Sequence, residues 1–510
     1  MINCSKSSFL VVLLIMIGQF AQTSLQINLK PSMIVELVRH GARVGLSSPY
    51  GSDDPMVKEV GAGNLTMVGL RQHYLLGKQI RENYPELFQN SEISNFDYEL
   101  HASSKTRCIN SANAHLQGLY PEGTGEIIPD QFEYSLLLPD YDRTKITVHP
   151  KFQTALPHGM RQFPIQSTSP VYDFFFWPTD YQYSCPAARK NAEAIKEKAN
   201  EDVKKVIQGT FDKLEEAGFN SKEYYNIPEW DPVHLLKVWD HTRAWLFHKG
   251  HHIKGMNDML YREVELASSY FWAFGDWGDK NTQKMRLKNM LERIINGFDD
   301  RISGKNKQLK FIMFSGHDST VFPFYLAYNF SNAECMLKKY QTFAESGTET
   351  EEDCEITPGF ASSLIWELNQ DVDSGKWYVR IIVDGNPKKF ECKGMIKGNY
   401  CPYDQWKDLT NTLKVDSQEE FEKYCKGSGS ELDEEYKLIT IGLGIFCLIL
   451  VVFLIALEIY IRSKTKVVDD KEDGYSYLDS VKFVSEGGKS QGFGEYKDSE
   501  LENSDEDNED

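Results

Sequence analysis

The sequence lacks an excess of basic residues, which nucleic-acid-binding proteins use to neutralise phosphates. It contains 56 Lys and Arg against 75 Asp and Glu, which gives a formal net charge of -19 at pH 7. Residues 467–510 alone contain 15 acidic residues and 4 lysines and so contribute -11 of this charge. The rest of the chain is only mildly acidic, and a nucleic acid is not expected among its partners.

Long apolar runs are scarce as well, and the first of the two is Phe9–Gly18. Lys6 precedes this run, and small and polar residues follow it at 21–24. This order is typical of a secretory signal peptide, and the run is too short to span a bilayer. The sequence therefore predicts a signal peptide over residues 1–24, with an uncleaved anchor as the alternative.

The second run, Leu438–Leu457, contains no charged residue and has the length that a bilayer core requires. Three basic residues follow it within 462–466, and positive charge stays on the cytoplasmic side of a membrane. We therefore predict a transmembrane helix over residues 438–461 in a single-pass type I protein, with a buried core helix as the alternative. Residues 25–430 would then form a lumenal or extracellular domain.

The last segment, residues 462–510, is rich in Gly, Ser and acidic residues, which predicts a disordered cytoplasmic tail. Tyr475 and Leu478 have the Tyr-x-x-apolar spacing of endocytic sorting signals. An endocytic adaptor is therefore a candidate partner, and a linker without a role is the alternative. The predicted location is the secretory and endolysosomal pathway, either a lysosome-like organelle or the cell surface.

Cysteine is infrequent too, with nine in 510 residues. Cys4 and Cys447 lie in the predicted signal peptide and membrane helix. Seven remain in the lumenal part, so at least one lies outside any disulfide within the chain. Asn64 and Asn329 each begin an Asn-x-Ser/Thr tripeptide, which is the acceptor for N-glycosylation in a secretory protein.

Three segments of strand length run directly into polar residues, with helical patterns between them. They are Met33–Val38, Phe96–Ala102 and the first half of Leu309–Thr320. This arrangement predicts an α/β sheet with a site at the carboxyl ends of its strands. Residues from about 126 to 308 have helical periodicity and predict a mostly helical insertion, or cap, packed over the sheet. One helix in it has apolar residues at helical spacing and is predicted to end with Gly218 as its C-cap; these residues are Ile195, Ala199, Val203, Val206 and Leu214.

The three predicted strand ends carry closely spaced charged residues. They read RHGAR at 39–43, SSKTR at 103–107 and GHD at 316–318. Arginine binds oxyanions through two nitrogens at once, and phosphate offers enough oxygens for several arginines. His40 is then a candidate nucleophile, because nearby arginines keep an imidazole neutral, and Asp318 is a candidate proton donor. Gly41 is expected to let the backbone come close to such a ligand.

The stretches LVRHGARVG, ASSKTRCINSA and FSGHDSTV together resemble the histidine acid phosphatases, most of all the lysosomal and prostatic type. The resemblance covers about residues 33–401. It implies a three-layer, phosphoglycerate-mutase-like α/β core with a helical cap. It also implies hydrolysis of small-molecule phosphate monoesters at acidic pH through a phosphohistidine intermediate, without a metal or organic cofactor.

The resemblance also implies roles for individual residues. His40 would be the phosphorylated nucleophile and Asp318 the proton donor, and the phosphate would be bound by Arg39, Arg43, Arg107 and His317. Lys105, where the family commonly has an aspartate-rich turn, would favour more anionic substrates. A local disulfide between Cys392 and Cys401 is expected, with Cys108 as the thiol outside any disulfide. The oligomeric state is left open, with a homodimer as one candidate.

Two other functions stay open from the sequence. One is a phytase or inositol-polyphosphate phosphatase, and the other is a non-catalytic surface receptor that binds a phosphorylated ligand. The histidine-rich segment 234–252 has spacings of three and four that can bind zinc, but no cysteine or carboxylate pattern accompanies them. Its histidines are expected instead to line the entrance of the pocket and to be protonated in an acidic compartment.

Overall fold

The structure is a computed structural model, and its description covers most of the chain between residues 27 and 461. The described residues are 27–89, 94–130, 139, 153–169, 173, 175–176, 185–275, 277–426, 441, 444–446 and 448–461. The chain divides into two units, Met1–Gly427 and Ser428–Asp510. The predicted signal peptide and the predicted tail, with Tyr475 and Leu478, lie outside the described residues.

A mixed β-sheet of seven strands forms the centre of the first unit. The strands are β1 Leu29–Arg39, β2 Tyr98–Ala102, β3 Phe311–Gly316, β4 Ser363–Asp371, β5 Trp377–Val383, β6 Asn386–Lys388 and β7 Cys401–Pro402. Their order is β2-β3-β1-β4-β5-β6, and β7 pairs with β5. The β2–β3 and β3–β1 pairs are parallel, and the other pairs are antiparallel. The predicted α/β class is confirmed.

Helices cover both faces of this sheet. They are α1 Pro55–Val60, α2 Met67–Asn83, α3 Pro85–Phe88, α4 Thr106–Leu119, α5 Pro186–Glu216, α6 Ser221–Tyr225, α7 Pro232–Lys249, α8 Asp258–Phe274, α9 Lys280–Ser303, α10 Asp318–Ala327, α11 Ala333–Ser346, α12 Tyr403–Thr412 and α13 Gln418–Lys426. Short 3₁₀ helices lie at Gly51–Asp53 and Pro157–Gly159. Helices α2 to α4 pack on one face, and helices from α5 to α12 contribute to the core on the other.

The central strand β1 explains why its sequence is a nearly continuous apolar run. Ile34 and Val38 belong to the core on the α2–α4 side, whereas Met33 and Val35 belong to the opposite core. Successive side chains of a strand point to opposite faces, so a strand covered on both faces has no polar alternation. The sheet is therefore the middle layer between two helical layers.

The first helix of the insertion, α5, buries three of the five apolar residues predicted to share one of its faces, and Ile195 is half-buried. Its buried residues include Ala199, Val203, Ile207, Phe211 and Leu214. The prediction of Val206 on this face was wrong, because Val206 is 36% exposed. After Val203 the buried row continues four residues on, at Ile207, as the 3.6-residue period of a helix allows. Gly218 follows the end of α5 with φ +89°, a conformation that favours glycine.

Three disulfides lie within the described residues of the first unit. They are Cys185–Cys425, Cys335–Cys354 and Cys392–Cys401. The first links residues 240 positions apart, between the start of α5 and the end of α13. A cross-link of such a long loop removes much of the entropy of the unfolded chain, up to about 5 kcal/mol. Cys108 lies outside these disulfides and is buried.

The second unit contains one apolar helix, α14, over Gly444–Ile461. This helix has 18 residues and a mean hydropathy of 2.8, and it is long and apolar enough to cross a membrane. The helix agrees with the predicted segment 438–461 in position and composition. Its insertion into a membrane stays a prediction.

Candidate active site

The three charged fragments meet at the carboxyl ends of β1, β2 and β3. His40 N–H donates to Gly316 O at 2.9 Å, and Ser103 N–H donates to Ser315 O at 3.0 Å. These strands are parallel neighbours, so their carboxyl ends lie at the same edge of the sheet. Fragments separated by more than 200 residues of sequence thus lie within hydrogen-bond distance of each other.

His40 is fully buried, and the hydrogen bond of its ring fixes the position of the ring proton. Its Nδ1 lies 2.9 Å from Gly41 O. A carbonyl oxygen only accepts, so Nδ1 carries the hydrogen and Nε2 has the lone pair. Nε2 is buried and has no hydrogen-bond partner among the described residues. Burial, followed by the charges of Arg107, Arg43 and Arg39, lowers the pKa of His40 well below its ordinary value.

Arg39 is held between a carbonyl group and a carboxylate. Its Nη1 donates to Pro358 O at 2.6 Å, and its Nη2 forms an ion pair with Asp318 Oδ2. Burial lowers the pKa of Arg39 to about 10, although the charge of Asp318 acts in the opposite direction. The guanidinium therefore stays charged at neutral and acidic pH.

Arg43 is bound by a carboxylate from the helical insertion. Its Nη1 lies 3.0 Å from Asp240 Oδ2 on α7, and Leu46 N–H donates to the same oxygen at 2.9 Å. Burial alone would raise the pKa of Asp240, but the charge and hydrogen bond of Arg43 outweigh burial and lower it. The pair joins the RHGAR loop to α7.

Arg107 and His317 form the third side of the site. Arg107 Nη2 is 3.5 Å from His317 Nδ1, and His317 Nε2 is 2.9 Å from Ser103 Oγ. The sulfur of Cys108 lies 3.6–3.7 Å from both nitrogens of the His317 ring. Burial, followed by the charge of Arg107, lowers the pKa of His317 well below its ordinary value. The rings of His40 and His317 are 5.5 Å apart.

Together these groups make a site for an anion with several oxygens. Two helices, α4 and α10, begin at the same edge of the sheet, with Thr106 and Asp318 as their first residues. Their N-termini add backbone N–H donors and positive potential. Three buried arginines with two paired carboxylates keep an excess of positive charge that suits an oxyanion, and a neutral imidazole among them is a competent nucleophile toward phosphorus.

Several residues at the site were missed by the reasoning from sequence. Trp239, Asp240 and Arg243 share one face of α7, and Phe360 lies in the loop before β4. The Arg39 Cζ atom is 4.7 Å from the centre of the Phe360 ring and 6.0 Å from that of Trp239. Trp239, Asp240 and Arg243 have helical spacing in the segment WDHTR, but the sequence does not indicate which element this face of α7 contacts.

Two expectations about the surroundings of the site stay predictions. The backbone at Gly41 comes close to α2, because a Cβ at Gly41 would lie 2.4 Å from Gly69 O, and the approach of a ligand at the same residue is untested. His241 and His248, expected at the entrance in protonated form, have pKa values that burial lowers below the ordinary value, which opposes protonation. His248 Nε2 lies 3.2 Å from Arg43 O. In the described part of the chain no group of three His, Cys, Asp or Glu could hold a metal.

The remaining predicted sites lie apart from this pocket. The side chain of Asn64 is exposed, and its Nδ2 donates to Val60 O at 3.0 Å. Asn329 is exposed as well, in a turn with φ 57°. Cys392 and Cys401 form the expected disulfide between the β6 region and β7.

Comparisons with known proteins agree on one family. The sequence matches the family model of the histidine phosphatase superfamily (branch 2) over residues 32–384. The lysosomal acid phosphatase of Xenopus laevis is 23% identical over 487 residues, which are 92% of this chain and 94% of that protein. The testicular acid phosphatase of Mus musculus is 25% identical over 303 residues, which are 57% of this chain and 62% of that protein.

The solved structures show the likeness of the fold alone. The Hafnia alvei phytase in complex with tartrate has a TM-score of 0.50 and 12% sequence identity. The match covers 76% of this chain and 98% of that chain.

Proposed function

The chain belongs to the histidine phosphatase superfamily (branch 2), and from this premise we propose that it is a membrane-anchored acid phosphatase with a phosphohistidine intermediate at His40. The relatives named acid phosphatases make it a histidine phosphatase that hydrolyses phosphate monoesters. The observation that supports the mechanism best is His40 Nε2, which carries a lone pair and is buried among three arginines.

In the first step, His40 Nε2 attacks the phosphorus atom of a monoester. A P–N bond forms while the P–O bond to the alcohol breaks, and the Asp318 carboxyl gives its proton to the departing oxygen. Arg39, Arg43 and Arg107 bind the phosphate oxygens, and His317 supports the transition state beside them. The step consumes the ester and releases the alcohol.

In the second step, water attacks the phosphorus atom of phosphorylated His40. The Asp318 carboxylate takes a proton from this water, the P–N bond breaks, and inorganic phosphate leaves. The enzyme returns to neutral His40 and to an Asp318 carboxylate that pairs with Arg39. Phosphate bound by the arginines offsets their charge, so Asp318 takes up the proton that it transfers only while substrate is bound. Both steps balance with water as the sole co-substrate.

The lowered pKa of His40 supports activity at acidic pH. An ordinary histidine with a pKa of 6.5 would be protonated at pH 5 and would have no lone pair to attack with. Because burial and the arginines lower the pKa of His40, its Nε2 keeps the lone pair in an acidic medium. The same holds for His317, whose pKa is also lowered by burial.

The test is His40→Ala, measured with p-nitrophenyl phosphate near pH 5. We expect p-nitrophenol release to fall to the background, and an alkaline quench of the wild-type protein to retain covalent phosphate that the variant lacks. His251→Ala is the control, because His251 is exposed. Normal turnover in the His40 variant would refute the assignment. Tight phosphate binding by the wild type without turnover at any pH would instead indicate a non-catalytic receptor.

A phytase-like activity is a second candidate, and Lys105 is the observation that favours it. Lys105 immediately precedes α4, and its charge contributes to lowering the pKa of His317, after burial, Arg107 and Arg43. An extra cation close to the site favours substrates with many negative charges. A higher kcat/KM for phytate than for glycerol 2-phosphate would support this candidate, and the reverse order would exclude it.

The cellular setting is part of the same proposal. We place a signal peptide at 1–24, a lumenal domain at 25–430 with its cap at about 126–308, a membrane helix at 438–461 and a cytoplasmic tail at 462–510. The apolar helix α14 and the exposed Asn64 and Asn329 support this arrangement. Deletion of 475–478 should shift the protein from a lysosome-like organelle to the cell surface if an adaptor reads the tail. A homodimer remains a prediction.

A further inference from the structure

A fourth buried arginine lies beside the phosphate-binding set and is incompletely paired. Arg243 on α7 is 7% exposed, and its Nε and Nη1 have no hydrogen-bond partner among the described residues. The carboxylate of Glu265 lies 3.9 Å from Nη1, and its other oxygen is already bonded to Arg262 at 2.6 Å. A buried cation without full pairing costs free energy, and its presence in a folded protein requires an explanation.

The two aromatic rings around Arg243 are the same two that flank Arg39. The Arg243 Cζ atom is 5.0 Å from the centre of the Trp239 ring and 5.1 Å from that of Phe360. The charge of Arg243 also contributes to lowering the pKa of Arg39, after the larger effects of burial and Asp318. Cation–π contacts stabilise both guanidinium groups, but they leave the N–H donors of Arg243 Nε and Nη1 unused. Arg243 therefore lies next to the proposed phosphate site with two nitrogens, Nε and Nη1, whose hydrogen-bond donors are not used within the described residues.

A line of rings leads from this pair of arginines to the surface. The Phe360 ring is 6.0 Å from the His40 ring, and Phe247 packs edge-on against Phe360 at 5.2 Å. Phe247 is 37% exposed. Arg243 lies against Phe360, the ring that neighbours both His40 and the exposed Phe247. This is the side on which the alcohol part of a bound monoester has aromatic surface to contact.

We infer that Arg243 is a specificity-determining residue that binds a second oxyanion, a carboxylate or a phosphate, on the alcohol part of the substrate. The inference rests on the proposed phosphatase function. Arginine suits this role because its planar fork donates two parallel hydrogen bonds to either kind of oxyanion. The preferred substrates are then monoesters that carry another negative charge close to the ester.

The test compares substrates that differ in this second charge. One arm is 3-phosphoglycerate against glycerol 3-phosphate, which differ by a carboxylate. The other is fructose 1,6-bisphosphate against fructose 6-phosphate, which differ by a phosphate. In Arg243→Gln we expect the kcat/KM ratio of one or both pairs to fall about ten- to hundredfold, the usual effect of losing a hydrogen bond to a charged group. Arg243→Lys should retain part of the preference.

Arg189→Gln is the matched control, because Arg189 is half-exposed on α5 and pairs with Glu193. Ratios in Arg243→Gln within threefold of the wild-type ratios in both arms would overturn the inference. If that variant does not fold, Glu265→Gln serves instead. It removes the carboxylate near Arg243 and should raise the ratio, and an unchanged or lower ratio would overturn the inference. A wild-type protein that hydrolyses none of these esters, nor p-nitrophenyl phosphate, would refute the proposed function itself.

Discussion

The ion pair between Arg43 and Asp240 is one of the contacts between the insertion and the RHGAR loop, and Asp240→Asn tests its role. The asparagine keeps the size of the side chain and one oxygen acceptor but removes the negative charge. Asp240 Oδ2 accepts from both Arg43 Nη1 and Leu46 N–H. The substitution therefore weakens two hydrogen bonds and leaves Arg43 without its counter-charge from α7.

The expected loss of stability follows from the burial of the pair. The side chain of Arg43 is 2% exposed and that of Asp240 is 14% exposed. Removal of one partner of a buried ion pair costs roughly 3–5 kcal/mol. The partial exposure of Asp240 and the retained oxygen favour the lower end, about 3 kcal/mol. With roughly 2.1 cal/mol/K per residue, a unit the size of Met1–Gly427 would lose about 3 °C in Tm.

The expected loss of activity follows from the position of Arg43. An error of about 1 Å in a group that positions the substrate can cost about 10²-fold. We therefore expect kcat/KM for p-nitrophenyl phosphate to fall about 10- to 100-fold. Thermal unfolding and initial rates on the same preparation measure both effects. Asp202→Asn is the control, because Asp202 is 47% exposed and forms a surface pair with Lys205.

The pH dependence of this effect has a definite sign. Arg43 lowers the folded-state pKa of Asp240 against the effect of burial. A group whose pKa is lowered on folding stabilises the protein above its unfolded pKa, and this contribution is lost as the pH falls through the folded pKa. The Tm difference between wild type and Asp240→Asn should therefore narrow in acid. A difference that widens, or a variant that matches the wild type in Tm and kcat/KM at neutral pH, would refute the reasoning.

Two further substitutions test the backbone and the proton donor. In Gly41→Ala a Cβ would lie 2.4 Å from Gly69 O, so we expect a lower Tm and at least a tenfold loss of kcat/KM. The control is Gly209→Ala, because a Cβ at Gly209 meets nothing within 4 Å, and this variant should be neutral or stabilising. Equal behaviour of the two would contradict the close approach. Asp318→Asn should still release a burst of p-nitrophenol, whose leaving oxygen needs no proton, but should show no burst with alkyl phosphates. Equal losses with both leaving groups would argue against Asp318 as the acid.

The parts of the fold that could be predicted are those in which burial leaves a local pattern. Residues 33–38 of β1 are covered on both faces, and the uninterrupted apolar run in the sequence reflects that. The error at Val206 has the opposite origin. Val206 and Ile207 are adjacent apolar residues, and only the packing of α5 against the core decides which one is buried. Gly41 shows the same limit, since its close neighbour Gly69 is 28 positions away in the sequence.

The candidate site also contains some residues that a local sequence pattern predicts and others that it does not. His40, Arg107 and Asp318 follow strand ends, and parallel strands bring their carboxyl ends together whatever the sequence distance. Asp240 comes from a helix 197 positions from Arg43, and Phe360 from a loop before an antiparallel strand. Helical spacing places Asp240 and Arg243 on one face of α7, but no local pattern says that this face contacts the site. Such contacts depend on tertiary packing alone.

The proposed reacting groups and the charges proposed to set substrate preference come from different parts of the fold. The strand ends of the sheet carry His40 and Asp318, the groups that we propose make and break bonds. The insertion supplies Asp240, which neutralises Arg43, and Arg243, which adds a cation next to Arg39. A change on α7 thus alters the net charge of the pocket and the anion it prefers, while both reacting groups stay on the strand ends. Because the two sets lie on different elements, the proposed mechanism allows substrate preference to change while the proposed phosphohistidine chemistry is retained.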